Sequence, residues 1–171
     1  MLTSVVISKE RTMNEWDRRI TAAQGYVELG LHEEARAELS HLPTSLQGRP
    51  DVLEISVLCL MNGHRWAEAL ATAQKLCALE PDQPGGYIHS AFCLHELGRT
   101  EEALDVLSRG PTILRTKPVY YYNLGCYLAR LGQEEQALKL LKQSFEMDGD
   151  LRRDARHDPD LLSLRQKLET L

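Results

Sequence analysis

The sequence predicts an all-α protein, built as a stack of four helical hairpins followed by a capping helix. Two residue types recur at a spacing of 34 residues. The alanines of this spacing are Ala35, Ala69, Ala103 and Ala137. The glycines are Gly30, Gly98 and Gly132, with His64 in the remaining place. Because a single hairpin leaves one apolar face uncovered, such units are expected to be stable only when they stack on one another.

These anchors divide the chain into four units with a further segment at each end. The predicted units are 16–49, 50–83, 84–117 and 118–151. Residues 1–15 form a leader that is either partly disordered or packed on the array, and residues 152–171 form a linker and a C-terminal capping helix. The first and third units look like copies of one another, because Glu28–Pro50 and Glu96–Pro118 share 12 identities in 23 positions.

Within each unit, the order of signals predicts two helices. Apolar residues at helical spacing mark the first helix, which a glycine such as Gly98 or Gly132 then ends. Acidic pairs open the second helix, where the helix dipole favours negative charge. Proline separates the units. Pro43 and Pro111 are predicted to end the second helix early, and an extended connector is expected after each of them.

The capping helix is predicted from the chain's final segment. Asp158 followed by Pro159 is a typical helix start, with an N-capping side chain and a proline in the first turn. Leucines at helical spacing then form one apolar stripe: Leu161, Leu164, Leu168 and Leu171. We therefore predict a cap over 159–170 that covers the open end of the stack.

Composition excludes several classes of protein. The 171-residue chain is 43% hydrophobic and 26% charged, which supports a packed core and argues against wholesale disorder. A net charge of −5 argues against nucleic-acid binding. No apolar stretch is long enough to span a membrane. Four cysteines without a Cys-x-x-Cys pair predict a reduced, cytoplasmic protein.

The repeat resembles the tetratricopeptide repeat family, whose pattern is W-x2-L-G-x2-Y followed by A-x3-F. The fourth unit carries Tyr121-x2-Leu124-Gly125-x2-Leu128, then Ala137-x3-Leu141. The third carries Tyr87-x2-Ser90-Ala91-x2-Leu94, then Ala103-x3-Leu107. The chain is also similar to small bacterial members with four repeats and a capping helix. The resemblance implies a right-handed superhelical stack.

The resemblance further implies a peptide-binding groove lined by the first helix of each unit. Carried over position by position, the groove residues are Ile20, Gln24, Val27, Glu54, Leu58, Met61, Ile88, His89, Phe92, His95, Tyr122, Asn123 and Cys126, with Ala129 at the end. Asn123 matches the asparagine that hydrogen-bonds a peptide backbone in the family. We expect a non-catalytic scaffold or adaptor whose partner is a protein segment.

The lining of this groove indicates the kind of partner. Family members that hold the C-terminal carboxylate of chaperones use lysine, asparagine and arginine, whereas this chain has Ile20, Leu58 and Phe92. Without cations there is no charge-assisted grip, so we do not expect a chaperone tail. An apolar or amphipathic peptide fits better. The alternative is a groove filled by the chain's own or a neighbour's N-terminal segment around Val5–Ile7, giving an autoinhibited monomer or a homodimer.

Residues with chemical potential have structural explanations. Cys59 and Cys93 are 34 residues apart and so occupy equivalent sites of adjacent units. These two, like Cys77 and Cys126, are expected to be small buried side chains. His89 and Cys93 lie one helical turn apart, but no third metal ligand has suitable spacing. The acidic pairs recur beside helix starts rather than across a cleft. We therefore predict no catalytic residue, no cofactor and no metal site.

Overall fold

A computed structural model describes residues 13–169, which are largely helical and include no β-strand. Ten α-helices follow one another along this part of the chain. The first eight form four hairpins: α1 (Glu15–Glu28) with α2 (His32–Ser40), α3 (Pro50–Asn62) with α4 (Trp66–Leu79), α5 (Gly85–Glu96) with α6 (Thr100–Arg109), and α7 (Pro118–Arg130) with α8 (Glu134–Met147). The two short ones are α9 (Asp150–Ala155) and α10 (Arg165–Leu168). The predicted stack of four hairpins is confirmed.

The first helix starts just inside the described range. Asn14 is the N-cap of α1, and its side-chain Oδ1 accepts a hydrogen bond from the backbone N–H of Asp17 at 2.8 Å. This bond satisfies one of the amides that a helix start leaves unpaired. Residues 1–12, which include the apolar segment Val5–Ile7, lie outside the described residues.

Each hairpin turns at a residue in the left-handed backbone region. The φ angles are 75° at Gly30, 76° at Gly98 and 76° at Gly132, and His64 adopts 53° at the corresponding place. After each of these residues, an amide bonds back into the preceding helix, as Leu31 N–H does to the Tyr26 carbonyl at 2.8 Å. A side chain is strained at such φ values, which explains the recurring glycine. The predicted helix stops at Gly98 and Gly132 are confirmed.

Small side chains hold the hairpins close together. Ala35, Ala69, Ala103 and Ala137 are each 0% exposed. One core cluster runs from α4 to the C-terminal segment, and a smaller one joins α1, α2 and α3 around Ile20, Ala23 and Ala35. Since these helices pack so closely, the 34-residue alanine spacing records where one helix meets the next.

The segments after the early helix ends differ from the sequence prediction. α2 ends at Ser40 and α6 at Arg109, as expected, but the connectors are 3₁₀ helices over Thr44–Leu46 and Thr112–Thr116 rather than extended chain. Pro43 and Pro111 are extended, with ψ near 150°, and so are Arg49 and Lys117 at the far ends of the connectors. The chain then winds into a tight turn, which in the second connector buries Leu114 to 1% exposure. Burial of that leucine favours the compact turn.

The C-terminal cap is also not one continuous α-helix. Pro159–Leu164 is a 3₁₀ helix, and only Arg165–Leu168 is α-helical. Asp158 caps this segment as predicted, because its Oδ1 accepts from the Asp160 N–H at 2.9 Å. A 3₁₀ helix repeats every three residues, so Leu161 and Leu164 lie on one side of it. Both are buried.

In the range 13–169, no helix has the length and apolar character needed to cross a membrane.

Candidate functional site

The first helices of the four hairpins share one surface, which we call the concave face. It is formed by α1, α3, α5 and α7, with the second helices packed behind them. Neighbouring first helices contact one another across it: Glu54 Oε1 on α3 lies 3.7 Å from His89 Nε2 on α5. The residues predicted from the sequence to line a groove all belong to these four helices. The structure divides them into an open half and a covered half.

The open half lies on α1, α3 and α5. Gln24 and Glu54 are exposed there. Six further predicted residues are half-buried: Val27, Leu58, Met61, Ile88, His89 and Phe92. Ile20 differs from them, because it is 5% exposed and belongs to the smaller core cluster. This half therefore offers partly exposed apolar side chains with one polar pair beside them.

Two contacts fix side chains of the open half. The Phe92 ring packs edge-on against Trp66 at the start of α4, with 5.9 Å between ring centroids. The neighbouring His89 imidazole lowers the pKa of the Glu54 carboxyl. A cleft of about 440 Å³ adjoins this pair, and its lining includes Gln83, Ile88 and His89. The open half thus contains a cleft, and the Glu54 carboxylate lies at its edge.

The covered half lies on α7 and the end of α5. We call residues 158–168 the C-terminal strap, because they lie across this part of the concave face. The Tyr122 hydroxyl donates a 2.7 Å hydrogen bond to Asp158 Oδ2, and the Cys126 thiol lies 3.6 Å from the same oxygen. His95 Nε2 lies 2.8 Å from Asp160 Oδ2. The strap is therefore held by polar side chains of both helices.

Part of the predicted groove is buried on this covered half. Tyr122 and Asn123 are each 9% exposed, Cys126 is 3% and Ala129 is 7%. The His95 side chain is 8% exposed and stacks on the Tyr127 ring at 4.6 Å. The sequence predicts the leucine stripe of the cap, but not that this stripe lies on these residues. The sequence predicts no functional role for Asp160 and Arg130, which lie 3.5 Å apart in the structure.

Burial makes the cysteines poor nucleophiles. It raises the pKa of the Cys93 thiol to about 11, and it raises the pKa values of Cys59 and Cys77 above the usual range. Burial and the nearby Asp158 carboxylate raise the pKa of Cys126 as well. These thiols stay protonated at neutral pH, the opposite of what a reactive cysteine requires. In residues 13–169, no three His, Cys, Asp or Glu side chains are placed to hold a metal ion.

Burial also sets the protonation of Tyr122. It raises the pKa of the Tyr122 hydroxyl, and the hydrogen bond to the negative Asp158 raises it further. The hydroxyl therefore stays protonated and acts as a donor. The Tyr127 hydroxyl, by contrast, is buried without a hydrogen-bond partner among the described residues. The covered half is thus a low-dielectric surface whose donors point at a strap carboxylate.

The architecture and this face define a helical-repeat solenoid, a class of proteins that commonly serve as protein-interaction scaffolds. A sequence model described as "Tetratricopeptide repeat" matches residues 118–151. None of the curated proteins matches the chain. The matched residues are the fourth hairpin, and the fold across residues 13–169 is a tetratricopeptide-type helical stack, as the sequence predicts.

Solved structures of MamA proteins share this fold. MamA from Desulfovibrio magneticus RS-1, residue 41 to its end, has a TM-score of 0.69 and 18% identity, with 92% of this chain and 89% of that chain covered. A MamA RS-1 ArsTM double mutant gives 0.68 and 19%, with 85% and 82% covered. MamA MSR-1 C2 gives 0.63 and 17%, with 80% and 79% covered. At these identities the likeness concerns the fold alone.

Proposed function

We propose that this protein is a non-catalytic scaffold or adaptor that binds an apolar or amphipathic peptide segment on the open half of its concave face. One observation carries the proposal: Leu58, Met61, Ile88 and Phe92 stand partly exposed on a surface built from three packed helices. Partly exposed apolar side chains gathered on a preformed surface favour a partner that covers them.

The apolar side chains account for a moderate affinity. Covering a large apolar side chain completely contributes about 1.5–3 kcal/mol, so finishing the burial of four half-buried ones contributes less than the roughly 6–12 kcal/mol of full coverage. Loss of overall motion opposes this gain by about 4 kcal/mol or more. The balance corresponds to binding in the micromolar range or weaker.

The negative charge of the open half further restricts the kind of segment that can bind there. Glu54 and Glu28 are exposed on it, and Glu28 accepts a 3.4 Å hydrogen bond from Gln24. The three helices place no lysine or arginine among the predicted groove residues. A segment with an apolar face and flanking basic residues would complement this surface in shape and charge, whereas a carboxylate tail would be repelled.

Replacing Leu58 with aspartate tests the proposed surface. Leu58 is half-buried and belongs to neither core cluster, so the change places a charge in the groove without removing a core contact. Peptides selected from a random display library against the unmodified chain are expected to lose at least about tenfold in affinity, about 1.4 kcal/mol, measured by fluorescence anisotropy.

The matched control is the Leu79→Asp variant. Leu79 is 54% exposed and ends α4, so the same chemical change falls outside the concave face. Selected peptides should bind this variant as they bind the unmodified chain. Peptides that bind the Leu58 variant undiminished, or that lose affinity for the Leu79 variant, would place the binding surface elsewhere.

The alternative in which the N-terminal segment fills the groove is a separate prediction. One observation supports this alternative: a segment of the same chain, the C-terminal strap, already occupies the covered half of the face. If the open half is free, deleting residues 2–12 should leave the mass in solution and the affinity for selected peptides unchanged. A dimer that becomes a monomer, or an affinity that rises tenfold after deletion, would favour self-occupancy. Sedimentation velocity and anisotropy measure the two quantities.

A further inference from the structure

We propose that the covered half of the concave face is a second peptide-binding site, and that it recognises protein segments of the form Asp-x-Asp-Leu-x-x-Leu. The C-terminal strap occupies it as a built-in competitor. The inference does not rest on the function proposed for the open half, because it concerns α7 and the end of α5 rather than α1 and α3. The seated strap itself shows the chemistry that the site accepts.

The first Asp of the pattern is recognised by donors that belong to α7. Asp158 Oδ2 receives the Tyr122 hydroxyl at 2.7 Å and faces the Cys126 thiol at 3.6 Å. Both donors are buried, so a segment without an acceptor at this position would leave them unpaired in a low-dielectric surface. Because of this penalty, a segment must carry the first carboxylate in order to bind the site.

The second Asp is recognised by His95 and Arg130. A carboxylate only accepts hydrogen bonds, so His95 Nε2 carries the proton in its 2.8 Å contact with Asp160 Oδ2. The ring is held in place by the Thr100 hydroxyl, 3.0 Å from Nδ1, and by stacking on Tyr127. Arg130 Nε lies 3.5 Å from the other oxygen of Asp160. The two carboxylates thus have separate, preformed partners.

The leucines of the pattern follow from the 3₁₀ geometry. With three residues per turn, the first Asp and the two leucines that follow at intervals of three share one side of the helix. Leu161 is 1% exposed and Leu164 is 0% exposed, whereas Leu162 between them is 57% exposed. The site therefore distinguishes leucines by their position in the segment.

The polar contacts separate a binding site from a simple cap. Covering the apolar end of a stack requires only apolar contact. Here the two carboxylates of the strap contact four side chains of the array: Tyr122, Cys126, His95 and Arg130. The tether to the array is short, which gives the strap an effective concentration on the order of millimolar or above. A partner segment can therefore displace the strap only when the contacts of the strap with the array are weakened.

The test uses the full chain and a labelled synthetic peptide with the sequence of residues 156–169. In the Asp158→Asn/Asp160→Asn variant, the strap keeps its leucines and a capping side chain but loses both carboxylates. The peptide is expected to bind this variant at least tenfold more tightly than it binds the unmodified chain. A peptide carrying the same two asparagines should bind the variant at least tenfold more weakly than the unmodified peptide does. The Leu162→Ala chain, changed at an exposed strap position, should behave as the unmodified chain does.

A folded variant that binds the unmodified peptide no better than the parent chain does, or that binds both peptides alike, would overturn the proposal and leave the strap a structural cap. If circular dichroism shows that the variant is unfolded, a protease site inserted between Arg156 and His157 replaces it. After cleavage, the labelled peptide should exchange into the folded complex and the asparagine peptide should not. A cleaved complex that exchanges neither peptide, or both equally, would also overturn the proposal.

Discussion

The Leu164→Ala variant is expected to lose about 2–4 kcal/mol of its free energy of unfolding. Leu164 belongs to the C-terminal strap, is 0% exposed and packs in the larger core cluster. Removing a fully buried leucine side chain forfeits its transfer free energy and leaves a cavity that the surroundings fill only in part. The loss should appear as a lower midpoint in urea denaturation, with the slope of the transition unchanged.

The control for this variant lies two residues away in the same 3₁₀ helix. Leu162 is 57% exposed, so Leu162→Ala removes the same atoms from a surface position. Its free energy of unfolding should change by no more than about 0.5 kcal/mol. Equal losses in the two variants, or a loss below about 1 kcal/mol at Leu164, would mean that the strap does not dock in solution as it does in the structure.

The Gly86→Ala variant is expected to lose about 1–3 kcal/mol, although alanine is the better helix former. A Cβ atom at Gly86 would lie 2.8 Å from the backbone nitrogen of Cys77 and 3.1 Å from the Ala73 carbonyl oxygen. Backbone atoms cannot rotate away, so α4 and α5 must separate to admit the methyl group. Overpacking of this kind outweighs the gain in helix propensity. Thermal or urea unfolding measures the difference.

Gly25 provides the matched opposite case. It also lies within a helix, but a Cβ atom there would meet nothing within 4 Å. Gly25→Ala should therefore raise the free energy of unfolding by about 0.5–1 kcal/mol, because alanine loses less conformational entropy in a helix. Two variants that shift stability in the same direction would contradict the close packing of α4 against α5.

The repeat architecture could be predicted because its signals are local. The buried alanines, the positive φ at Gly30, Gly98 and Gly132, and the acidic first turns of the second helices all depend on residues within one hairpin. The connectors were predicted less well. Proline cannot continue a helix that has already formed, so the helix ends before Pro43 and Pro111 could be predicted. Whether the chain then extends or winds depends on what Leu114 and its neighbours can bury.

The candidate site could be predicted only as a face. Helical spacing predicts that His95, Tyr122 and Cys126 share one side of the stack, and in the structure all three contact the C-terminal strap. Helical spacing does not tell whether that side of the stack is open to solvent. His95 and Asp160 are separated by 65 residues, and the leucine stripe of the strap would fit several apolar surfaces equally well. The acidic residues that choose among those surfaces resemble ordinary helix caps in the sequence.

The sequence by itself determined the class of fold and the order of helices and turns, because helix periodicity and turn chemistry act over a few residues. Only the tertiary structure decided which half of the concave face is available. That outcome depends on where a distant segment docks, and docking is set by the combined fit of Leu161, Leu164 and the two strap carboxylates to surfaces that exist only after the hairpins have stacked.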